Sequence, residues 1–136
     1  MSNRNGDIAD HLATGEWGEK VAERLLKKLG YRILGRRVRI GIRDEIDLVA
    51  RDGKVLVFVE VKTRKAEDYG RPATAVDKEK RHVLSRAAVR YLKSLGNPHV
   101  PFRFDVVEVV GSVDDPNPVV RHIQSAFNLD RMYMLP

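Results

Sequence analysis

The run Val55-Leu56-Val57-Phe58-Val59 is apolar at every position, and the chain then continues Glu60-Val61-Lys62. A strand with no polar face belongs in the middle of a sheet, buried on both sides. Ending such a strand in a carboxylate and an ammonium costs free energy unless the two pair with each other or with a ligand such as a metal ion. Asp47, on the strand-like run just before, adds a second carboxylate. That placement points to chemistry.

The turn between the two runs sets their register. Asp52-Gly53 is a strong signal for a two-residue hairpin turn. With those two residues in the turn, Arg51 faces Lys54, Val49 faces Leu56 and Asp47 faces Phe58. Residues on one face recur at every second position, so Glu45, Asp47 and Val49 share a face with Leu56, Phe58, Glu60 and Lys62. Asp47 and Glu60 are then diagonal neighbours, with Cα atoms roughly 7–8 Å apart. Ile46, Leu48 and Ala50 join Val55, Val57, Val59 and Val61 on the opposite, core face.

Two carboxylates leaning across that gap can hold one divalent cation. Oxygen ligands without cysteine or a histidine cluster favour Mg²⁺ or Mn²⁺ over zinc. The Val61 backbone carbonyl is a further candidate ligand. Lys62 is placed to orient or help deprotonate a metal-bound water, or to stabilise charge on a phosphate in transfer. The competing reading is a charged strand end in solvent, with Glu60 and Lys62 a weak surface pair.

Elsewhere the pattern predicts one domain. A chain of 136 residues buries roughly two thirds of its unfolded surface in a single core. There is no apolar run near 18 residues and no signal-peptide pattern, so neither a membrane span nor export is expected. The absence of cysteine is consistent with a cytoplasmic protein and removes thiolate metal sites. The four histidines are scattered without ligand spacing. Residues 1–14 read as a polar tail running into a first helix that stops at Gly30. Its apolar stripe is Trp17, Val21, Ala22, Leu25, Leu26 and Leu29, with Glu19 at the stripe edge. Strands are expected over Tyr31–Ile40, Glu45–Arg51, Val55–Thr63, Phe102–Val110 and Val119–Ile123, and a second helix over Ala75–Leu95 with Thr74-x-x-Asp77 as a capping box. A long helix between the third and fourth strands implies that they are parallel neighbours. Asp105 reads as a buried or partly paired structural carboxylate.

Charge narrows the partner. The net charge is +6, and from Arg24 to Arg43 there are eight basic residues and no acidic one. Arg32, Arg36, Arg37 and Arg39 in that run, and Arg64 after the candidate site, fit the phosphates of a nucleic acid by Coulomb attraction and counterion release. The bland alternative is solvated charge on a helix and an edge strand. Lys80 stands in the middle of the second helix's apolar face, among Val76, Val83, Leu84, Ala87 and Tyr91. It either snorkels or reaches toward Glu60 and Lys62, holding a phosphate or pairing with a site carboxylate when substrate is absent.

Asp47 followed by Glu60-x-Lys62 on the next strand resembles the PD-(D/E)xK signature of restriction-endonuclease-like nucleases. The wider likeness is to the YraN-like family of small endonuclease-like proteins, which resembles archaeal Holliday-junction resolvases in fold. It is carried by Gly15-x-x-Gly18-Glu19, Gly30-Tyr31-x-Ile33-Leu34, Glu45-Ile46-Asp47-Leu48-Val49-Ala50, Val57-Phe58-Val59-Glu60-Val61-Lys62-Thr63-Arg64, Ala75-Val76, Lys80, Arg103-Phe104-Asp105-Val106-Val107 and His122-Ile123 leading to Ala126-Phe127. One departure is Asp44, where the family usually has glycine. The resemblance implies a restriction-endonuclease-like α/β core, a mixed sheet of about five strands flanked by helices in the order α-β-β-β-α-β-β. The nuclease-like domain would span residues 15–127, with residues 128–136 a C-terminal tail. It implies Mg²⁺- or Mn²⁺-dependent hydrolysis of phosphodiester bonds in DNA, including branched or junction DNA, and a homodimer. Asp47 and Glu60 would ligate the metal, Glu19 would complete the site through water, and Lys62 would serve the nucleophile or transition state. The alternatives are a non-catalytic nucleic-acid-binding module with the same fold and, more distantly, a protein-interaction adaptor.

Overall fold

Residues Val55–Arg64 form the central strand, β3, of one five-stranded sheet, as the apolar run over residues 55–59 requires. This computed structural model describes residues 4–65 and 76–133, with side chains from residue 12 onward. The elements are α1 (Arg4–Lys28), β1 (Arg32–Ile40), β2 (Asp44–Asp52), β3, α2 (Lys78–Ser94), β4 (Phe102–Val110) and β5 (Val119–Phe127), followed by a 3₁₀ turn at Arg131–Tyr133. Strands lie in chain order, β3 and β4 parallel and the other pairs antiparallel. The expected α-β-β-β-α-β-β order and the parallel β3–β4 crossover are both present.

A helix covers each face. Trp17, Ala22 and Leu26 of α1, with Tyr31, pack on Leu48, Ala50, Val57, Val59, Val107 and Val109. Leu84, Ala87 and Ala88 of α2, with Val76, pack on Ile46, Val49, Phe58, Phe104 and Val106. Phe104 stacks on Phe127 with centroids 4.7 Å apart, which fixes β5 against β4.

Several expectations change in detail. Leu29 leaves the stripe and is exposed, because the chain turns at Gly30 (φ 89°), whose N–H bonds to the Lys27 carbonyl while Tyr31 N–H reaches Leu26. The segment expected as a polar tail is helical from Arg4. Asp77 is the N-cap of α2, its carboxylate accepting the Lys80 N–H at 2.7 Å, so it is not the third residue of a capping box. Thr74 and Ala75, the expected box and helix start, lie outside the described residues. β5 runs on to Phe127.

The β2–β3 register also differs. Gly53 and Lys54 occupy the turn, so Asp52 pairs with Val55, Val49 with Phe58 and Leu48 with Val59. The shift of two residues keeps the faces of Leu48, Val49 and Ala50 and moves only their partners. The ladder ends at Leu48↔Val59, so Asp47 and Glu60 flank its end rather than forming the diagonal pair within it that was expected. Ile46 is the exception to the expected faces: it packs on the α2 side while Leu48 packs on the α1 side. The alternation breaks at Asp47.

Candidate functional site

That break places the site. The β2–β3 pairing ends at Leu48↔Val59, and the Val61 N–H that a further ladder bond would use donates instead to Asp47 Oδ2 at 2.8 Å. Asp47 therefore projects along the hydrogen-bonding direction of the sheet, between the two helix layers. In a strand the N–H and C=O of one residue point the same way, so the Val61 carbonyl also faces the β2 side. Burial and the neighbouring Glu60 charge push the Asp47 carboxyl up to about 7. The donated Val61 N–H and the ammonium of Lys80 act in the other direction.

Glu60, itself buried, stands on the α2 face with Lys80 Nζ 3.4 Å from Oε1. Lys80 is 43% exposed, so its stem lies along the helix face while its ammonium reaches the site. Lys62, two residues on and on the same face, is in register beside Glu108 of β4. Neither Glu108 oxygen accepts a hydrogen bond, although the residue is fully buried.

Glu19 approaches from the other layer. Gly18 lets α1 lie against β3 so closely that an added Cβ would sit 2.2 Å from Thr63 Oγ1. Glu19 follows directly, half-buried, its carboxyl raised chiefly by burial, with the charges of Asp47 and Glu45 adding and Arg37 opposing. Its carboxylate accepts the Arg37 Nε–H at 2.7 Å. Among the described residues, no three His, Asp or Glu side chains gather closely enough to hold one metal ion. Asp47 and Glu60 meet; Glu19 stands nearby, turned to Arg37.

The arginines of β1 divide. Arg36 pairs with Glu23, and Arg37 with Glu19 and, at 3.8 Å, with Glu16. These residues with Lys20 and Leu48 line a cleft of about 340 Å³ between α1 and β1. Arg32 and Arg39 are exposed on the strand, and Arg64 is half-buried at the end of β3.

Three arrangements were not anticipated. Asp44 lies away from the metal candidates, gripped by Arg86 of α2 through two 2.8 Å bonds that hold its carboxyl below the usual range. Asp105 is the expected structural carboxylate, but its donors are Arg103 Nε at 3.0 Å, His122 Nε2 at 2.8 Å and Ser125 N at 3.0 Å. Arg103 continues to Asp52 and the Tyr31 hydroxyl, tying β4 to the β2–β3 turn. Arg37 has a left-handed backbone (φ 45°) that no local sequence signal marks.

Fold and site together define a mixed α/β domain with an open five-stranded sheet and two carboxylates meeting where β2 leaves β3. The chain belongs to the family described as uncharacterised protein family UPF0102, whose model matches residues 18–109. This bears out the YraN-like membership expected from the motifs. A UPF0102 protein of Symbiobacterium thermophilum is 49% identical over 118 residues, covering 84% of this chain and 95% of its own. One from Chlorobaculum tepidum is 43% identical over 117 residues, covering 83% and 90%. Among the described residues, no helix is long and apolar enough to cross a membrane.

Proposed function

We propose that the protein is a metal-dependent endonuclease that hydrolyses phosphodiester bonds in DNA, branched DNA included. The observation that carries this reading is Asp47: a half-buried carboxylate, fixed by a main-chain N–H, whose proton affinity is raised by desolvation and by a second carboxylate beside it. Two such groups repel until a cation joins them, which is the behaviour expected of divalent metal ligands. Asp47, Glu60 and the Val61 carbonyl would hold Mg²⁺ or Mn²⁺, a donor set of the size Mg²⁺ takes when water and substrate phosphate complete its shell. Bound there, the ion would polarise a phosphoryl oxygen and acidify a water. Lys62 would orient the attacking water, or offset the charge that builds on the phosphate as the bond to the leaving oxygen breaks. Glu19 would support the cation through water once freed from Arg37, and Lys80 and the β1 arginines would supply phosphate contacts.

One observation favours a non-catalytic nucleic-acid-binding module instead: Glu60 and Glu19 are each engaged by a cation of the chain. The two readings separate on incubation with duplex, flap and four-way-junction DNA, with Mn²⁺ and with chelator. Cleavage in Mn²⁺ that chelator stops, and that Asp47→Asn or Glu60→Gln lowers by about a hundredfold or more, supports the nuclease. Salt-dependent binding without cleavage supports the module.

A further inference from the structure

Arg37 does not behave as one cation among several on β1. Between the pairs Arg36↔Leu48 and Val38↔Ile46, the position it would share is with Asp47, and the ladder skips that pair. Its left-handed φ of 45° is rare for a long side chain and persists only where surroundings hold it. From this position its guanidinium bonds Glu19 at 2.7 Å while the side chain stays 40% exposed, so solvent still reaches it. Glu19 is 21% exposed and feels the charge of Asp47. Lys80 repeats the arrangement from the opposite layer, 43% exposed and 3.4 Å from Glu60.

Building on the nuclease reading above, we propose that Arg37 is a phosphate ligand of this site, held on Glu19 until a nucleic-acid phosphate takes its guanidinium and leaves Glu19 facing the cation at Asp47. Arg37 holds Glu19 through its Nε–H alone and Glu16 only at 3.8 Å, and a guanidinium can trade such a carboxylate contact for the paired bonds that a phosphate accepts. While Arg37 sits on Glu19 it cancels the negative charge that would draw a divalent ion. Once it moves to phosphate, that charge is restored beside Asp47. Nucleic acid and metal therefore strengthen each other's binding, by the same factor in both directions.

Calorimetric titration of the whole chain with Mn²⁺, alone and with a phosphorothioate duplex, tests this. The parent is expected to bind Mn²⁺ about fivefold more tightly with the duplex. Arg37→Met should bind about fivefold more tightly than the parent without DNA and gain little from adding it. Arg43→Met, which removes the same charge from the exposed β1–β2 turn, should follow the parent. In a Glu19→Gln background, Arg37→Met should no longer alter Mn²⁺ affinity, an outcome that general electrostatics would not produce. Arg37→Gly, which suits the left-handed backbone, provides the same comparison if methionine unsettles the strand. Arg37→Met tracking Arg43→Met in both titrations, in a parent that loads Mn²⁺, overturns the proposal alone. A parent that takes up no Mn²⁺ with or without duplex overturns the metal-dependent reading, and this step with it.

Discussion

Asp47 gains its properties from three causes: the Val61 N–H that holds it, the packing that half-buries it and the Glu60 carboxylate that opposes its charge. Its ordinary pKa lies near ~3.9, so a folded-state value of about 7 means that the native protein binds this proton more tightly than the unfolded chain. Its contribution to stability therefore falls as pH rises from about 4 to about 7. The size is on the order of 1–4 kcal/mol. Asp47→Asn keeps the shape and removes the titration. In urea unfolding at both ends of that window, the variant should gain on the parent as pH rises, and Mn²⁺ should stabilise only the parent. Parallel pH dependence in the two proteins would show that Asp47 ionises normally. The hairpin signal at Asp52-Gly53 set the register two residues off, yet that Asp47 and Glu60 lie near each other was legible from the strand alternation. The in-plane projection of Asp47 was not, because alternation assumes an unbroken ladder and this one ends at the residue in question. Arg37 was legible only as charge, since its left-handed backbone is a conformation that arginine seldom adopts.

Between elements, the decisive contact is α1 on β3. The motif Gly15-x-x-Gly18-Glu19 marked that region, and Gly18 supplies the physical reason: its missing Cβ brings the helix against Thr63 and sets Glu19 at the edge of the site. Gly18→Ala puts a methyl 2.2 Å from Thr63 Oγ1 and 3.3 Å from its Cβ. Overpacking of this kind costs about 1–3 kcal/mol, less the few tenths to 1 kcal/mol that alanine returns through helix propensity. Thr63→Ala in the same chain removes the hydroxyl and should recover most of the loss in thermal unfolding. If Thr63→Ala gives no recovery, the close approach is not what Gly18 serves. α2 is held by different means: Asp77 caps it and starts the turn carrying Lys80, while Arg86 ties it to Asp44 at the β1–β2 hairpin. The helices and strands were readable from periodicity, but the Arg86–Asp44 grip was not. Nothing in a helix pattern says which strand end its arginine will meet.

Across the whole molecule, charge that looks segregated along the chain is interleaved in space. The run from Arg24 to Arg43 contains no acid, yet folding lays β1 beside α1, where Glu16, Glu19 and Glu23 meet Arg36 and Arg37. A linear scan cannot see this, because the neutralising groups precede the run and come from a different layer. Positive potential toward a polyanion is thus reduced on the α1 side of β1 and kept at the exposed Arg32 and Arg39. Two opposite changes follow for a protein that binds DNA through this strand. Neutralising Arg32 and Arg39 together should weaken binding and flatten the dependence of log K on log salt by roughly 0.9 for each lost duplex contact. Glu23→Gln should do the reverse, releasing Arg36 from its partner, raising affinity at low salt and steepening the slope by as much as one contact. Fluorescence anisotropy across a salt series reads both effects on the same duplex. A slope unmoved by either change would mean that β1 carries no phosphate contacts and that the α1–β1 ion pairs serve the fold alone.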